Sequence, residues 1–424
     1  MNPDLSRHWQ LQPGLTYINH GSFGACPTPV LEVQAELRAR MEADAVRFLD
    51  SELAVRLVDV REKVGAFVHA EPEDLVFLPN ATGAVNAVLR SLERVLQPGD
   101  ELLTTNHEYN ATTNALQYVA SGRGASVVVA SIPFPIHSPD QVVDAILERV
   151  TPRTRLAMFS WVTSATALIF PVERISRALA EHGVEVLIDA AHAPGMVPMD
   201  LAALEHAGVS YVTGNGHKWL CSPKGAAFLW VRRDRQPQIH PLVISHGQNS
   251  PLTPNGQSRF QVEFDWPGTD DPTPVLALPA AIDFMATLEP GGWPALRAAN
   301  HELVLQGRDI VAAALGPTGA ERLAPDDMLG SMVTLAVPVD LEPAQTPASA
   351  EADPDVTLAD DRLHHDLLER DRIQVPVYAW PAKPALGPAR RYLRISAQRY
   401  NDLDDYTKLA EALKSRGPSA TTGA

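Results

Sequence analysis

Between about residues 60 and 232 the chain alternates short apolar runs with stretches of helical periodicity, and this alternation restricts its fold more than any other feature. Leu75–Leu78, Glu101–Thr104, Ser126–Ala130, Leu156–Trp161, Val184–Ile188, Tyr211–Thr213 and Ala226–Val231 read as strands. Asp59–Val68, Ala81–Val95 and the stretches 140–149 and 171–182 read as helices, the second from the spacing of Val85, Val88, Leu89 and Leu92. Short buried strands separated by helices predict an α/β fold with a mostly parallel sheet covered on both faces. Ligands of such sheets bind beyond the carboxyl ends of the strands. Asn80, His107, Ser164, Asp189, His217 and Lys218 all fall at or just after predicted strand ends.

The remaining segments suggest further units. Residues 1–60 read as an N-terminal arm followed by a helix over 28–43 that packs near the site. Residues 61–280 form the large domain and 281–416 a smaller α+β domain. In the latter, helices at 276–288, 294–315 and 358–371 surround strands at Ser331–Val337, Val375–Tyr378 and Tyr392–Ser396. Asp340 to Thr357, rich in Pro, Ala and acid, and the tail 417–424 read as mobile.

Composition excludes several classes of function. A net charge of −16, from 35 basic and 51 acidic residues, argues against nucleic acid as a partner. No apolar run approaches the roughly 18 residues of a membrane span, so no membrane contact is expected. Two cysteines, Cys26 and Cys221, make no disulfide framework, which fits a reducing cytoplasm. His, Cys, Asp and Glu do not cluster at metal-ligand spacings, and no metal is expected.

The chemistry converges on one lysine. In Tyr211-Val-Thr-Gly-Asn-Gly-His-Lys-Trp219 an apolar strand breaks and delivers His217 and Lys218. Lysines are mostly solvated, but one between His and Trp after an apolar strand is a poor candidate for a surface face. It suits imine formation with an aldehyde cofactor and proton removal from a substrate Cα. Val186-Leu-Ile-Asp189 ends a strand on a carboxylate, which can pair with a pyridine nitrogen or merely cap the next turn. His192 follows one short step later and can orient Asp189 or the ring.

Asn80-Ala-Thr-Gly83 joins a strand to a helix start, which serves equally as an N-cap or a phosphate cradle. In the string Asn106-His-Glu-Tyr109, His107 or Tyr109 can stack on an aromatic cofactor. Alternation in Arg391-Tyr-Leu-Arg-Ile-Ser396 sets Arg394 opposite Leu393 and Ile395, as a carboxylate grip or a solvated edge-strand residue.

Together these strings resemble the class V aminotransferase family of fold-type I pyridoxal phosphate enzymes, in its isopenicillin N epimerase-like branch. The resemblance spans roughly residues 15 to 410. It also rests on Tyr17-Ile-Asn-His-Gly-Ser-Phe-Gly24, Arg47-Phe-Leu49, Asp189-Ala-Ala-His-Ala-Pro-Gly195 and Trp266-Pro-Gly-Thr-Asp270. It implies the aspartate aminotransferase-like fold, pyridoxal 5'-phosphate as cofactor, and a homodimer.

The resemblance also implies roles for residues. Lys218 is the Schiff-base lysine, Asp189 the pyridinium partner, and His192 a neighbour of the ring. Thr82, Gly83, Asn215 and His217 are phosphate contacts, with Thr269 donated across the dimer interface. Ser164 stands where relatives place an asparagine near the phenolic oxygen. Arg394 binds the substrate carboxylate, and Asn19, His20 and Arg47 line the pocket. The stretch Asp340 to Thr357 carries no cysteine where desulfurases of the family have a catalytic one, which argues against persulfide chemistry.

The expected reaction is epimerisation at Cα of an amino acid or small peptide, with His20, Tyr109 or a water as second acid. A β-elimination C–S lyase and an aminotransferase are the alternatives. A non-catalytic α/β binding protein, the reading from another class, is weakened by the lack of a P-loop or a GxGxxG string at the first strand.

Overall fold

The computed structural model describes residues 3–251, 253, 256–341, 361–381 and 388–416. Of the two stretches expected to be mobile, Asp340 to Thr357 lies outside the described residues from 342 onward, as does the whole tail 417–424.

Seven strands build the central sheet: β1 (Leu75–Leu78), β2 (Glu101–Thr105), β3 (Ser126–Ala130), β4 (Thr154–Ser160), β5 (Glu185–Asp189), β6 (Tyr211–Asn215) and β7 (Ala227–Val231). Their order is β1-β7-β6-β5-β4-β2-β3. Pairing is parallel from β6 across to β3. β7 runs antiparallel to both β6 and β1. The exception has a simple cause: β6 ends at Asn215 and β7 begins at Ala227. That gap is too short for the crossover of about a dozen residues or more that a parallel neighbour needs. The chain therefore turns straight back, and Lys218 sits in the reversal.

Both faces of the sheet are covered, which explains why its strands read as apolar runs. Side chains alternate between the faces with period two. On β5, Val186 and Ile188 enter one apolar cluster and Leu187 the other. On β4, Ala157 and Phe159 separate from Leu156 and Met158 in the same way. Helices α3 (Ala81–Leu92) and α4 (Asn110–Arg123) supply Val85, Val88, Leu116 and Val119 to one side. Helices α2 (Leu53–Val68), α5 (Asp140–Leu147) and α6 (Val172–Glu181) supply Val64, Ile146 and Ile175 to the other.

A second sheet holds three antiparallel strands in the order β9-β10-β8, with β8 at Met332–Ala336, β9 at Val377–Trp380 and β10 at Arg390–Ser396. Leu393 and Ile395 of β10 join a separate apolar cluster with Val304, Val311, Leu409 and Leu413. These come from helices α7 (Gly292–Gly319) and α8 (Leu403–Lys414). The helical reading of 294–315 stops just short of Gly316, where φ of +67° breaks the helix.

The first sixty residues are more helical than an extended arm: beyond α1 (Thr28–Ala43), helical turns continue from Ala45 and α2 begins at Leu53. Thr16 and Tyr17 pair in parallel with Ile373 and Gln374 as a separate two-stranded sheet, and the Ser396 N–H donates to Ile18 O at 3.0 Å, which ties the N-terminal segment to the second sheet. No helix among the described residues is long and apolar enough to cross a membrane.

Leu187 has no exposed surface. Leu187→Ala is expected to cost about 2–5 kcal/mol through lost burial and a residual cavity. The denaturation midpoint measures it, and a change below about 1 kcal/mol would mean that this face is loosely packed.

Candidate active site

Parallel pairing brings the ends of three strands level. Ser160 pairs with Asp189, and Asp189 with Thr213. The chain leaves β6 two residues later, so Lys218 emerges at the end of the sheet where Asp189 lies. The reversal is fixed by hydrogen bonds from Gly216 N–H to Ala226 O at 2.9 Å and from Cys221 N–H to Lys218 O at 3.2 Å. Two glycines press on it. A Cβ on Gly24, whose φ is +69°, would lie 2.1 Å from the His217 carbonyl oxygen, and one on Gly195 would lie 2.5 Å from that of Trp219.

Lys218 is largely buried, with part of its surface still accessible. Burial, then the charge of Arg394, pulls its amine down to about 7, against a smaller upward pull from Asp189. Its Nζ lies 2.9 Å from His192 Nε2. His192 is buried and held well below the usual imidazole range by desolvation and by the cations around it. Asp189 accepts the Ala191 N–H at 3.0 Å, and burial raises its pKa. Of the two partners open to His192, Asp189 or the ring, no hydrogen bond to Asp189 is found among the described residues, and His192 meets the lysine itself.

Asn80 caps α3, its Oδ1 accepting the Gly83 N–H at 2.8 Å. Asn215 Oδ1 accepts the Ala81 N–H at 2.8 Å and joins the helix start to the end of β6. Thr82 stands in the first turn. His217 Nδ1 is buried without a hydrogen-bond partner, and burial lowers its pKa to about 4. An unpartnered imidazole nitrogen two residues after the side chain that holds a helix N-terminus fits a phosphate group.

Arg394 is buried, and its guanidinium donates to the Ser164 carbonyl, to Ser164 Oγ at 3.4 Å and to Ser22 Oγ at 3.0 Å. Ser22 in turn donates to Asn19 Oδ1 at 2.6 Å. No carboxylate among the described residues lies within ion-pair distance of Arg394. A buried guanidinium satisfied only by neutral oxygens leaves an anion site open. Ser164 is thus placed beside the arginine.

Several expected residues sit elsewhere. His20 is fully buried, with Nδ1 2.8 Å from the Tyr400 hydroxyl and Nε2 2.9 Å from the Lys218 carbonyl. Desolvation drops its pKa to about 3, so it braces the lysine backbone and is withdrawn as a proton donor. His107 has both ring nitrogens engaged, with the Thr166 hydroxyl at 2.7 Å and the Ile132 carbonyl at 3.2 Å. It packs on Trp380 at a centroid distance of 4.5 Å. Tyr109 is 52% exposed at the start of α4, so of the two stacking candidates it alone has a free ring. Arg47 is exposed and pairs with Glu52 at 3.3 Å, and no contact among the described residues brings it to Lys218. Thr269 is also exposed.

Sequence reasoning gave no role to Glu108 or Trp219. Glu108 accepts hydrogen bonds from Thr105 Oγ1 at 2.7 Å and Ser160 Oγ at 2.6 Å. Burial, with some repulsion from Asp189, raises its pKa to about 7. Its position between His107 and Tyr109 at a strand end was the available signal.

The model of the family described as Aminotransferase class-V matches residues 25–312. The chain belongs to this family. The class V enzyme is 34% identical over 418 residues to an isopenicillin N epimerase of Amycolatopsis lactamdurans, covering 95% of this chain and 96% of the relative. It is 29% identical over 429 residues to a probable chloroplastic L-cysteine desulfhydrase of Arabidopsis thaliana, covering 97% and 84%. Among solved structures it resembles the cysteine desulfurase CsdA of Escherichia coli, with TM-score 0.76, 21% identity and 98% of both chains covered. It also resembles a C-DES mutant with glycine covalently linked to its PLP cofactor, with TM-score 0.75, 19% identity, and 96% and 98% covered. The fold is therefore fold type I and the cofactor of this class V enzyme is pyridoxal 5'-phosphate. The unpartnered His217 nitrogen, the capped helix start, buried Asp189 and the depressed Lys218 amine fit that group.

Gly24→Ala is expected to displace the backbone of His217 and Lys218, because the added carbon meets their carbonyl oxygens. Cofactor affinity, titrated by visible absorbance, should fall about tenfold or more, as expected from about 1.4 kcal/mol of strain. Unchanged affinity would show that the reversal tolerates movement.

Proposed function

We propose that the protein acts at the α-carbon of an amino acid or small peptide, with epimerisation as the favoured outcome. The observation that carries this reading is the pairing of a neutralised lysine amine with a buried arginine that has no counter-ion among the described residues. When bound, pyridoxal phosphate supplies an electron sink for the pair released at Cα.

The chain's own residues do the rest. Asp189 would face the ring nitrogen, and Thr82, Gly83 and His217 the phosphate, with Asn215 holding the helix start in place. His192 meets the lysine amine. Lys218 provides the attachment point and then takes and returns the proton at Cα. Arg394 grips the α-carboxylate, and Ser22, Ser164 and Asn19 fix its fork. Tyr109 at the start of α4 offers a ring face, and a phenol or water on the face away from Lys218 completes inversion. Thr269 and Arg47, both exposed in the single chain, are read as contributions to the pocket of a second copy in a homodimer.

A β-elimination at Cβ is the second reading, and one observation favours it. His20 is committed to Tyr400 and the Lys218 carbonyl, so it cannot serve the second face. Elimination needs only one base and a leaving group. Sulfur transfer to a cysteine is disfavoured, because Cys26 and Cys221 are both buried and burial raises both thiols.

Incubation with an amino-acid and dipeptide panel in deuterated water separates these outcomes. Inverted product carrying deuterium at Cα supports epimerisation. Release of pyruvate would replace it with the lyase reading, and a free oxo-acid with transamination. Lys218→Ala should abolish the borohydride-sensitive absorbance, and a variant that keeps it would exclude Lys218. Arg394→Gln is expected to raise KM about tenfold or more, from the loss of a charged hydrogen-bond pair worth about 1.5–3 kcal/mol. An unchanged KM would remove Arg394 from the carboxylate site.

A further inference from the structure

His192 lies between two nitrogens. Trp219 Nε1–H donates to its Nδ1 at 3.4 Å, and its Nε2 lies 2.9 Å from Lys218 Nζ. An indole nitrogen is only a donor, so Nδ1 must present its lone pair. A neutral imidazole with a lone pair on Nδ1 carries its proton on Nε2. That N–H then points at the lysine nitrogen, which must accept and so must be an unprotonated amine. An ammonium at the same position would set N–H against N–H.

The surroundings reinforce this order. His192 is buried, and its desolvation and the charge of Arg394 oppose a positive charge on it. Asp189 is the nearby acid, and it takes the Ala191 N–H. The indole itself has little freedom. Trp219 is 1% exposed, His20 lies against it at a centroid distance of 4.8 Å, and Gly195 presses on its carbonyl.

We propose that Trp219 is a positioning residue that fixes His192 as the Nε2–H tautomer and thereby holds the Lys218 amine in its neutral, reactive state. The inference deepens the reading of Lys218 as the attachment point and rests on it. Tryptophan is needed here for one N–H more than for its apolar bulk.

The test is the pH dependence of cofactor capture by the cofactor-free full-length chain, followed by the absorbance of lysine-bound pyridoxal phosphate. The residue is changed by Trp219→Phe and by insertion of benzothienylalanine, which keeps the indole shape and lacks the N–H. Both are expected to move the midpoint upward by about one pH unit, a tenfold smaller neutral fraction below it, with capture at alkaline pH unchanged. In a His192→Gln background, where the amide can turn either way, the same changes should add no shift. A midpoint equal to wild type in the benzothienylalanine protein would overturn the proposal, as would a shift that persists without His192. Wild-type protein that captures no cofactor, or a Lys218→Ala variant that still does, would instead overturn the reading of Lys218.

Discussion

A primary amine held largely out of water next to a buried guanidinium is the interaction on which the site depends. Desolvation and like charge both oppose protonation of Lys218, and the acid opposite, Asp189, only partly offsets them. The result is an amine that is free near neutral pH without any added base. Among the described residues Arg394 has no anionic partner, which ties nucleophile and carboxylate site into one electrostatic arrangement. A substrate carboxylate relieves the unpaired charge as it binds, so recognition and reactivity share a cause.

The fold exists to hold that arrangement. Level strand ends set Asp189 beside Ser160 and Thr213. A reversal too short for a crossover puts Lys218 at the same edge. The second sheet contributes Arg394 from its face opposite Leu393 and Ile395, whose burial in their own cluster fixes the strand's orientation. The N-terminal segment closes the gap between the two sheets. It pairs with Ile373 and Gln374, runs through Asn19 and Ser22 to Arg394, and rests Gly24 on the lysine loop.

The strands were legible because both faces are buried, so each reads as an unbroken apolar run with turn residues after it. The lysine, the acid and the helix start were legible for the same reason, since they lie where those runs stop. The direction of β7 was not, because apolar pattern carries no polarity; only the length of the loop before it does. His20, His107 and Arg47 resisted reading because a polar residue in a motif says nothing about which atoms it will meet. His20 and His107 turned inward onto carbonyls and hydroxyls, and Arg47 turned out to Glu52. Glu108 and Trp219 were hidden by their neighbours: one between two aromatic candidates, the other as the flank of the lysine.

The central claim is that Lys218 is a neutral amine near pH 7 in the cofactor-free protein. Reductive methylation with labelled formaldehyde, followed residue by residue across pH, reports the protonation of each lysine directly. The account requires Lys218 to titrate near 7, well below a free lysine amine at about 10.4. A Lys218 that titrates like a free lysine amine would contradict it.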